Sequence, residues 1–258
     1  MIERLLKKLG YINKERFFGN NFVLPKDKVT YSNDLLYTYH NADFLKDPLF
    51  IESYKLGKNT DGGRLLRNYD IQWRIHVLCW AASHAIHLDG DFVDCGVYTG
   101  IFPRAVINYT KFETTGKKYF LLDTFSGLDE RYSTKEELIR NTAMRYNNND
   151  SEKLFQQVKK TFEGFAVNII KGAIPDTLAQ VKADKVSYLS IDMNSVIPEV
   201  AALNFFWDKM VSGGVIILDD YGYADSHTEQ RMAHIAFAKS KNVEILTLPT
   251  CQGLILKP

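Results

Sequence analysis

The pattern of hydrophobic and polar residues changes near Gly90. From Asp91 onward, short apolar runs typical of strands are separated by stretches with apolar residues at helical spacing. The predicted strands are Phe92–Cys95, Tyr119–Leu122, Val167–Ile170, Val186–Ile191 and Val215–Leu218, followed by an antiparallel hairpin of Val243–Leu248 and Leu254–Leu256. The predicted helices between the first five strands are Phe102–Tyr109, Ser151–Phe162, Asp176–Lys182 and Pro198–Met210. This alternation predicts an α/β fold with a mostly parallel, seven-stranded sheet and an antiparallel last strand.

The region before Asp89 is different, because it is polar, aromatic and inclined to helix. Ile2–Leu9 is basic and weakly amphipathic, which favours a helix packed on its own domain or a partner subunit over one on a membrane surface. Asn20–Gly62 is typical of loops with short helices, and Asp70–Ile86 predicts a helix capped by Asp70. We therefore expect an N-terminal helical cap over residues 1–88 and a main domain over residues 89–258.

Composition narrows the class of protein without identifying it. The 258 residues are 45% hydrophobic and 24% charged, as in ordinary globular proteins, and the net charge is +1. This neutrality disfavours nucleic acid as a partner. No run approaches the roughly 18 apolar residues needed to span a bilayer, and the N-terminal segment lacks the features of a secretion signal, so we expect a cytoplasmic protein. Three scattered cysteines indicate neither a disulfide framework nor a zinc site.

The end of the first main strand carries a glycine turn, Asp94-Cys95-Gly96-Val97-Tyr98-Thr99-Gly100. Gly96 permits a sharp turn and close approach to a ligand, and the following helix offers N–H groups. Tyr98 occupies the middle glycine position of the dinucleotide pattern, which argues against a nicotinamide-dependent oxidoreductase. The acidic residue before the turn suits a cationic ligand such as S-adenosylmethionine (SAM). A purely structural glycine turn is the alternative.

The next two strand ends fit an adenosine ligand. Asp123, followed by Thr124 and Phe125, is placed to accept hydrogen bonds from two ribose hydroxyls, although an aspartate there could also cap a helix. Gly172 and Ala173 leave room for an adenine ring, or form an ordinary turn. The predicted cofactor-binding residues are Asp94, Gly96, Tyr98, Thr99, Gly100, Asp123, Thr124, Phe125, Gly172, Ala173 and Asp192.

Acidic residues follow the fourth and fifth strands. Adjacent parallel strands would bring Asp192 close to Asp219 and Asp220, and three crowded carboxylates repel one another. A divalent cation such as Mg²⁺ would relieve this repulsion. Alternatively, one aspartate caps a helix and another meets an arginine such as Arg104 or Arg231.

Four segments together resemble the macrocin O-methyltransferase (TylF-type) family. They are FVDCGVYTG (Phe92–Gly100), LLDTFSGL (Leu121–Leu128), GAIPDTL (Gly172–Leu178) and GGVIILDDY (Gly213–Tyr221). The resemblance covers roughly residues 70–222. It implies a Rossmann-like class I methyltransferase fold, the cofactor SAM, assistance by Mg²⁺, and methylation of a hydroxyl on a sugar or another polyol-bearing small molecule.

The resemblance also implies roles for individual residues. Asp192, Asp219 and Asp220 carry over as metal ligands. The family often has D-x-D after the fourth strand, whereas this chain has Asp192-Met193-Asn194, so Asn194 offers only a neutral oxygen. Asp192 and His227 are then the candidate catalytic residues, with His227 a candidate base or else a surface or capping residue.

The remaining predictions concern the acceptor side. The polar segment Asp129–Asp150 is expected to form a lid. The aromatic residues of the N-terminal region, Tyr31, Tyr37, Tyr39 and His40, either line the acceptor pocket or simply pack, and His234 is expected to be structural. A non-catalytic scaffold with the same fold, a nicotinamide-dependent oxidoreductase and a nucleic-acid methyltransferase remain the rival functions, and a homo-oligomer is left open.

Overall fold

A seven-stranded sheet forms the centre of the protein in this computed structural model, which describes residues 11–13, 23–25, 29–67, 69–143, 150–223 and 227–258. Two short pairs precede the sheet: β1 (Tyr11–Asn13) with β2 (Val23–Pro25), and β3 (Tyr31–Asn33) with β4 (Leu36–Thr38). The sheet strands are β5 (Asp91–Cys95), β6 (Tyr119–Asp123), β7 (Val167–Lys171), β8 (Val186–Ile191), β9 (Met210–Leu218), β10 (Leu246–Thr247) and β11 (Gly253–Leu256). Their order is β10-β11-β9-β8-β5-β6-β7, with β11 antiparallel to both neighbours and β5 to β9 mutually parallel. The predicted sheet is confirmed.

Helices cover both faces of the sheet. They are α1 (Pro48–Thr60), α2 (Gln72–Ala85), α3 (Ile101–Thr110), α4 (Lys135–Ala143), α5 (Ser151–Thr161), α6 (Val196–Trp207) and α7 (Thr228–Ser240). Because strand side chains alternate, Phe92 joins a core with α1, α2, α3 and α5, whereas Val93 joins a second core with α6 and α7. The result is a three-layer α/β/α arrangement.

The strand order reverses at β5, which pairs with β6 on one side and β8 on the other. In open α/β sheets, ligands bind in the crevice beyond the carboxyl ends of the strands at such a switch point. The topology therefore places the residues after β5, β6 and β8 at the edge where a site is expected.

Helix α1 brings the N-terminal region onto the sheet layer. Pro48 occupies its first turn, and the Asp47 side chain accepts a hydrogen bond from the Leu49 amide at 2.9 Å, which caps the helix. Gly57 lets α1 approach α3 closely, because a Cβ there would lie 2.5 Å from the Ile101 carbonyl oxygen. None of the described helices has the length and apolar character that crossing a bilayer requires.

Several predicted elements are wrong in extent or kind. Asp176–Lys182 is not an α-helix; a turn and a short 3₁₀ segment at Leu178–Gln180 stand there. Asp70 does not cap α2, because its carboxylate instead accepts from the Tyr54 hydroxyl at 2.8 Å, and the helix starts after Ile71.

Other bounds also differ from the predictions. The 13-residue helix α1 is longer than the short helices expected in Asn20–Gly62. The predicted helix ending at Met210 stops at Trp207, since Met210 already begins β9. The closing hairpin is confirmed, with β10 reduced to Leu246–Thr247. The predicted helix Ile2–Leu9 lies outside the described residues.

Candidate active site

A cavity of about 790 Å³ lies over the carboxyl ends of the parallel strands. Its walls include the segments that follow β5, β6, β7, β8 and β9, together with the tip of the β3–β4 hairpin and part of the predicted lid. Of the predicted cofactor and metal residues, ten line it: Gly96, Tyr98, Asp123, Thr124, Phe125, Gly172, Ala173, Asp192, Asp219 and Asp220. One cavity thus joins the predicted nucleoside side and the acidic side.

Gly96 turns the chain sharply where β5 meets β8. Its φ is +90°, and a Cβ at this position would lie 1.8 Å from the backbone oxygen of Asp192. Only glycine fits so close to a neighbouring main chain. Tyr98 follows with a φ of +49°, in the left-handed region that non-glycine residues seldom adopt. Such strained backbone is typical of binding sites, where the surrounding structure holds it in place.

The Asp123 carboxylate connects two strand ends. It accepts hydrogen bonds from the amides of Val97 at 2.6 Å and Tyr98 at 2.8 Å, both in the turn after β5. Its other oxygen accepts from the Phe125 amide at 2.5 Å. Three amide donors fix the position of this carboxylate at the wall of the cavity.

Three predicted cofactor residues are not among the lining residues. Asp94 is buried in the sheet, where one carboxylate oxygen accepts from the Tyr119 hydroxyl at 2.9 Å. Burial raises the pKa of Asp94 to about 8. Thr99 is also buried, with its hydroxyl 3.4 Å from that of Thr60, and Gly100 precedes α3 beneath the Phe162 ring. These residues support the turn from behind the cavity.

The acidic residues converge as predicted. Asp192, Asp219 and Asp220 each offer a carboxylate oxygen, and these oxygens lie within 4.8 Å of one another. Burial and the charges of Asp219 and Asp220 raise the pKa of Asp192 well above its ordinary value. Gln252 donates to Asp219 Oδ1 at 2.8 Å, and Asn194 donates to Asp192 Oδ1 at 3.2 Å. The cluster is therefore held on both flanks by side-chain amides.

An arginine that sequence reasoning missed enters this cluster. Nη1 of Arg74, on α2, donates to Asp219 Oδ2 at 2.7 Å and to Asp220 Oδ1 at 2.9 Å. The interpretation in which an arginine meets the aspartates is correct in kind, but the arginine is Arg74 and not Arg104 or Arg231, the two that were named. The Arg104 guanidinium lies over the Phe165 ring, 5.2 Å from its centroid. A charged residue within the apolar stretch Ile71–Leu78 was the available signal.

Two segments outside the sheet form a further wall of the cavity. Leu35 and Tyr37 line it from the β3–β4 hairpin, and Tyr132 and Ser133 line it from the predicted lid. Tyr31 is buried and packs edge-on against Trp73, with 5.4 Å between the ring centroids. Of the four N-terminal aromatic candidates, Tyr39 and His40 are also absent from the lining, so Tyr37 alone contacts the cavity.

The predicted lid is partly helical and is attached to the loop that follows β8, which carries Asp192. Helix α4 lies within it, and residues 144–149 are outside the described part of the chain. Buried Glu137 on α4 accepts from the Thr134 amide at 2.7 Å, which closes a capping box. The same carboxylate accepts from Ser195 Oγ at 3.1 Å and the Val196 amide at 2.8 Å. Glu137 therefore caps both α4 and α6.

Neither histidine singled out in the sequence lines the cavity. His227 is buried at the start of α7, where its ring meets Tyr223 edge-on at 5.3 Å. Burial lowers the pKa of His227 to about 4. His234 is buried with Nε2 2.8 Å from the carboxylate of Glu199. His227 thus lies behind Tyr223, which is itself a lining residue of the cavity.

Comparison with solved structures gives the fold. Over 71% of this chain and 79% of the other, the protein is similar to the O-methyltransferase NovP, with a TM-score of 0.58 and 17% identity. It is also similar to CalS11, a calicheamicin methyltransferase, over 84% and 94% of the two chains, with a TM-score of 0.56 and 13% identity. These likenesses show the class I methyltransferase fold.

Sequence comparison gives the family. A Streptomyces olivaceus relative, 8-demethyl-8-(2,3-dimethoxy-alpha-L-rhamnosyl)-tetracenomycin-C 4'-O-methyltransferase, is 26% identical over 140 residues, which is 51% of this chain. The matched part spans 53% of that relative's length. The model of the macrocin-O-methyltransferase (TylF) family matches residues 74–246. Because this match spans well over half of the chain, the protein belongs to the macrocin-O-methyltransferase (TylF) family.

Proposed function

We propose that this protein is a SAM-dependent O-methyltransferase that methylates a hydroxyl of a sugar or another polyol-bearing small molecule with the assistance of Mg²⁺. The observation that carries the proposal is the shared cavity: Asp123 and the Gly96 turn line one side, and the Asp192, Asp219 and Asp220 cluster lines another. A methyl donor and a hydroxyl acceptor must meet in one enclosed space, since proximity and orientation supply much of the catalysis of such a transfer.

The donor side is formed by backbone turns and one carboxylate. SAM, when bound, supplies a methyl group on a positively charged sulfur. In this assignment Asp123 holds the ribose, because its carboxylate lines the cavity and is fixed by amides on both of its oxygens. Gly172 and Ala173 border the space for the adenine ring. Tyr98 lines the same wall. In a dinucleotide-binding turn a glycine would stand at its position.

The acidic side fits a hard divalent cation. Asp192, Asp219 and Asp220 offer oxygen ligands, and Asn194 has a buried Oδ1 without a hydrogen-bond partner among the described residues. Mg²⁺, when bound, would orient neighbouring hydroxyls and lower the pKa of one of them. Asp192 is the proposed proton acceptor, because its carboxylate lines the cavity beside the space for the cation and the hydroxyls.

The sugar acceptor is supported by the family and by the relative. The name of the matching family describes O-methylation of macrocin, and the name of the Streptomyces olivaceus relative describes O-methylation of a rhamnosyl group. Tyr37 and Tyr132 line the cavity and offer aromatic surface with polar hydroxyls to an acceptor of this kind. The lid over Asp129–Asp150 and the homo-oligomer stay predictions.

Methyl transfer from SAM to a panel of rhamnosides with vicinal hydroxyls, followed by mass spectrometry, tests the proposal. We expect EDTA to abolish product formation and Mg²⁺ to restore it. Asp219→Asn should lower turnover more than about 100-fold, because it removes a charge that orients the cation. The affinity for S-adenosylhomocysteine (SAH) should be little changed.

Asp208→Asn is the matched control, since Asp208 is exposed at the end of α6 and should leave turnover unaltered. Full activity of Asp219→Asn, or of the EDTA-treated enzyme, would contradict the cation. Absence of methyl transfer to every hydroxylated acceptor, despite tight SAH binding, would favour the non-catalytic scaffold.

A further inference from the structure

Arg74 connects the acidic cluster to the β3–β4 hairpin. Besides Asp219 and Asp220, it contacts Asp34 at the hairpin tip, with Nε–Oδ2 at 2.6 Å and Nη2–Oδ1 at 3.2 Å. The side-chain exposures are 8% for Arg74, 4% for Asp219, 13% for Asp220 and 12% for Asp34. Ion pairs removed from water to this degree are strongly coupled, because solvent screens them poorly.

The guanidinium takes oxygens that a cation would need. Asp219 Oδ2 accepts from Arg74 while Asp219 Oδ1 accepts from Gln252, so both oxygens of this aspartate are engaged. Asp220 Oδ1 also accepts from Arg74. A divalent cation in this cluster would share carboxylates with the arginine, and the two positive charges would repel each other across a few ångströms.

The hairpin tip is held by this arginine on one side. Asp34 and Leu35, the two residues between β3 and β4, both have positive φ values, 51° and 59°. Leu35 is exposed, and both residues line the acceptor side of the cavity. A change in the position of Arg74 would therefore reach the surface that faces the acceptor.

We propose that Arg74 is a resident counter-ion that competes with the divalent cation for Asp219 and Asp220 and, through Asp34, couples cation binding to the hairpin tip. The cation displaces Arg74 from the cluster, and the tip loses the part of its anchorage that Asp219 and Asp220 supply. Arg74 is thus a positioning residue that sets cation affinity and the acceptor-facing surface. This inference rests on the cation of the proposed function.

Binding of Mn²⁺, followed by the electron paramagnetic resonance signal of the free ion, tests the competition. Arg74→Met should bind Mn²⁺ at least about tenfold more tightly than the unmodified protein, because it removes the competing charge. Arg67→Met is the matched control, since Arg67 is an exposed arginine outside the cavity lining and its loss should leave the affinity unchanged. Equal Mn²⁺ affinities for Arg74→Met and the unmodified protein overturn the competition.

Asp34→Asn provides an independent test that keeps Arg74 in place. Without the Asp34 charge, more of the arginine's positive charge acts on the cluster, so Mn²⁺ should bind about threefold or more weakly. SAH binding by each variant confirms its fold. If Arg74→Met does not fold, the Asp34→Asn result decides, and an affinity equal to or tighter than that of the unmodified protein overturns the inference.

Hydrogen exchange of the amides in Tyr31–Thr38 tests the coupling. In the unmodified protein, saturating Mg²⁺ should accelerate their exchange several-fold, whereas in Asp34→Asn the exchange should already be fast and insensitive to Mg²⁺. No response in the unmodified protein overturns the coupling. If no variant binds Mn²⁺, the proposed cation fails together with this inference. If Mn²⁺ binding is equal in all variants while methyl transfer still requires Mg²⁺, only this inference fails.

Discussion

Asp94 lies inside the sheet and does not line the cavity, although its place in the glycine-turn motif predicted a contact with the cofactor. It is buried in β5, and its pKa is raised from an ordinary value of 3.8 to about 8 by burial. Between about pH 4 and pH 8, the Asp94 carboxyl therefore stays protonated in the native state but is deprotonated in the unfolded chain. Stability conferred by this proton is complete below about pH 4 and is lost as the pH rises toward 8.

Asp94→Asn should remove this loss, because the amide keeps an oxygen for the Tyr119 hydroxyl and carries no charge. Relative to the variant, the unmodified protein should lose up to about 1.4 kcal/mol of unfolding free energy per pH unit between pH 5 and 8. Urea unfolding of both proteins at pH 5, 6, 7 and 8 measures the difference. Parallel pH profiles would show that Asp94 does not titrate in this interval.

The residues that line the cavity or contact its acidic cluster differ in how readily the sequence identified them. Gly96 and Asp123 were found because each follows a recognisable buried strand, and parallel topology brings strand ends together. Arg74 was missed because its burial depends on Asp34 and Asp219, which are distant in the sequence and become neighbours only after folding. His227 lies close to the acidic residues in the sequence, but its buried ring packs against the lining residue Tyr223 and does not itself line the cavity.

At the scale of elements, Glu137 joins the start of α4 to the start of α6. Glu137→Ala removes a buried acceptor and leaves the Thr134 and Val196 amides without it. We expect the unfolding free energy to fall by about 1–3 kcal/mol, as for other lost partners of buried groups. Chemical denaturation measures this change.

Glu136→Ala is the comparison for this prediction, since Glu136 lies exposed in the same helical turn. It should shift the unfolding free energy by less than about 0.5 kcal/mol. Similar losses in the two variants would mean that the contacts of Glu137 to α6 add no stability. A larger loss in Glu137→Ala supports the connection between the predicted lid and the loop that follows β8.

The helices and strands were predictable where the hydrophobic pattern was distinct. Strands β5, β6 and β8 are buried on both faces and appear as apolar runs, which is why they were located within a residue or two. The edge strand β7 is only partly buried, but its apolar residues Val167, Ile169 and Ile170 located it equally well. Asp176–Lys182 failed because a few apolar positions after a proline fit a helix and a 3₁₀ turn equally well. Helix α1 was hidden because its buried positions, Phe50, Ser53, Tyr54, Gly57 and Thr60, include small and polar residues.

For the whole molecule, a ligand that binds the proposed SAM site should stabilise the fold, and a ligand that does not bind there should not. SAH at about 100 times its dissociation constant should raise the unfolding free energy by about 2.7 kcal/mol, whereas NAD should not. Asp123→Asn should shrink the SAH effect, because the ribose loses a charged acceptor. Thermal unfolding with each ligand measures these shifts, and stabilisation by NAD alone would reject the donor assignment. The boundary near Asp89 and Gly90 remains a prediction at this scale.

The close contact between Gly96 and the main chain of Asp192 has a consequence for protein engineering. The turn after β5 and the loop after β8 touch through their main chains at this point, so a change of backbone in one disturbs the other. The β3–β4 hairpin and the segment around Tyr132, in contrast, are attached outside the sheet. Exchanging these two segments between homologues, with Asp34 kept in place as a partner of Arg74, offers a route to new acceptors.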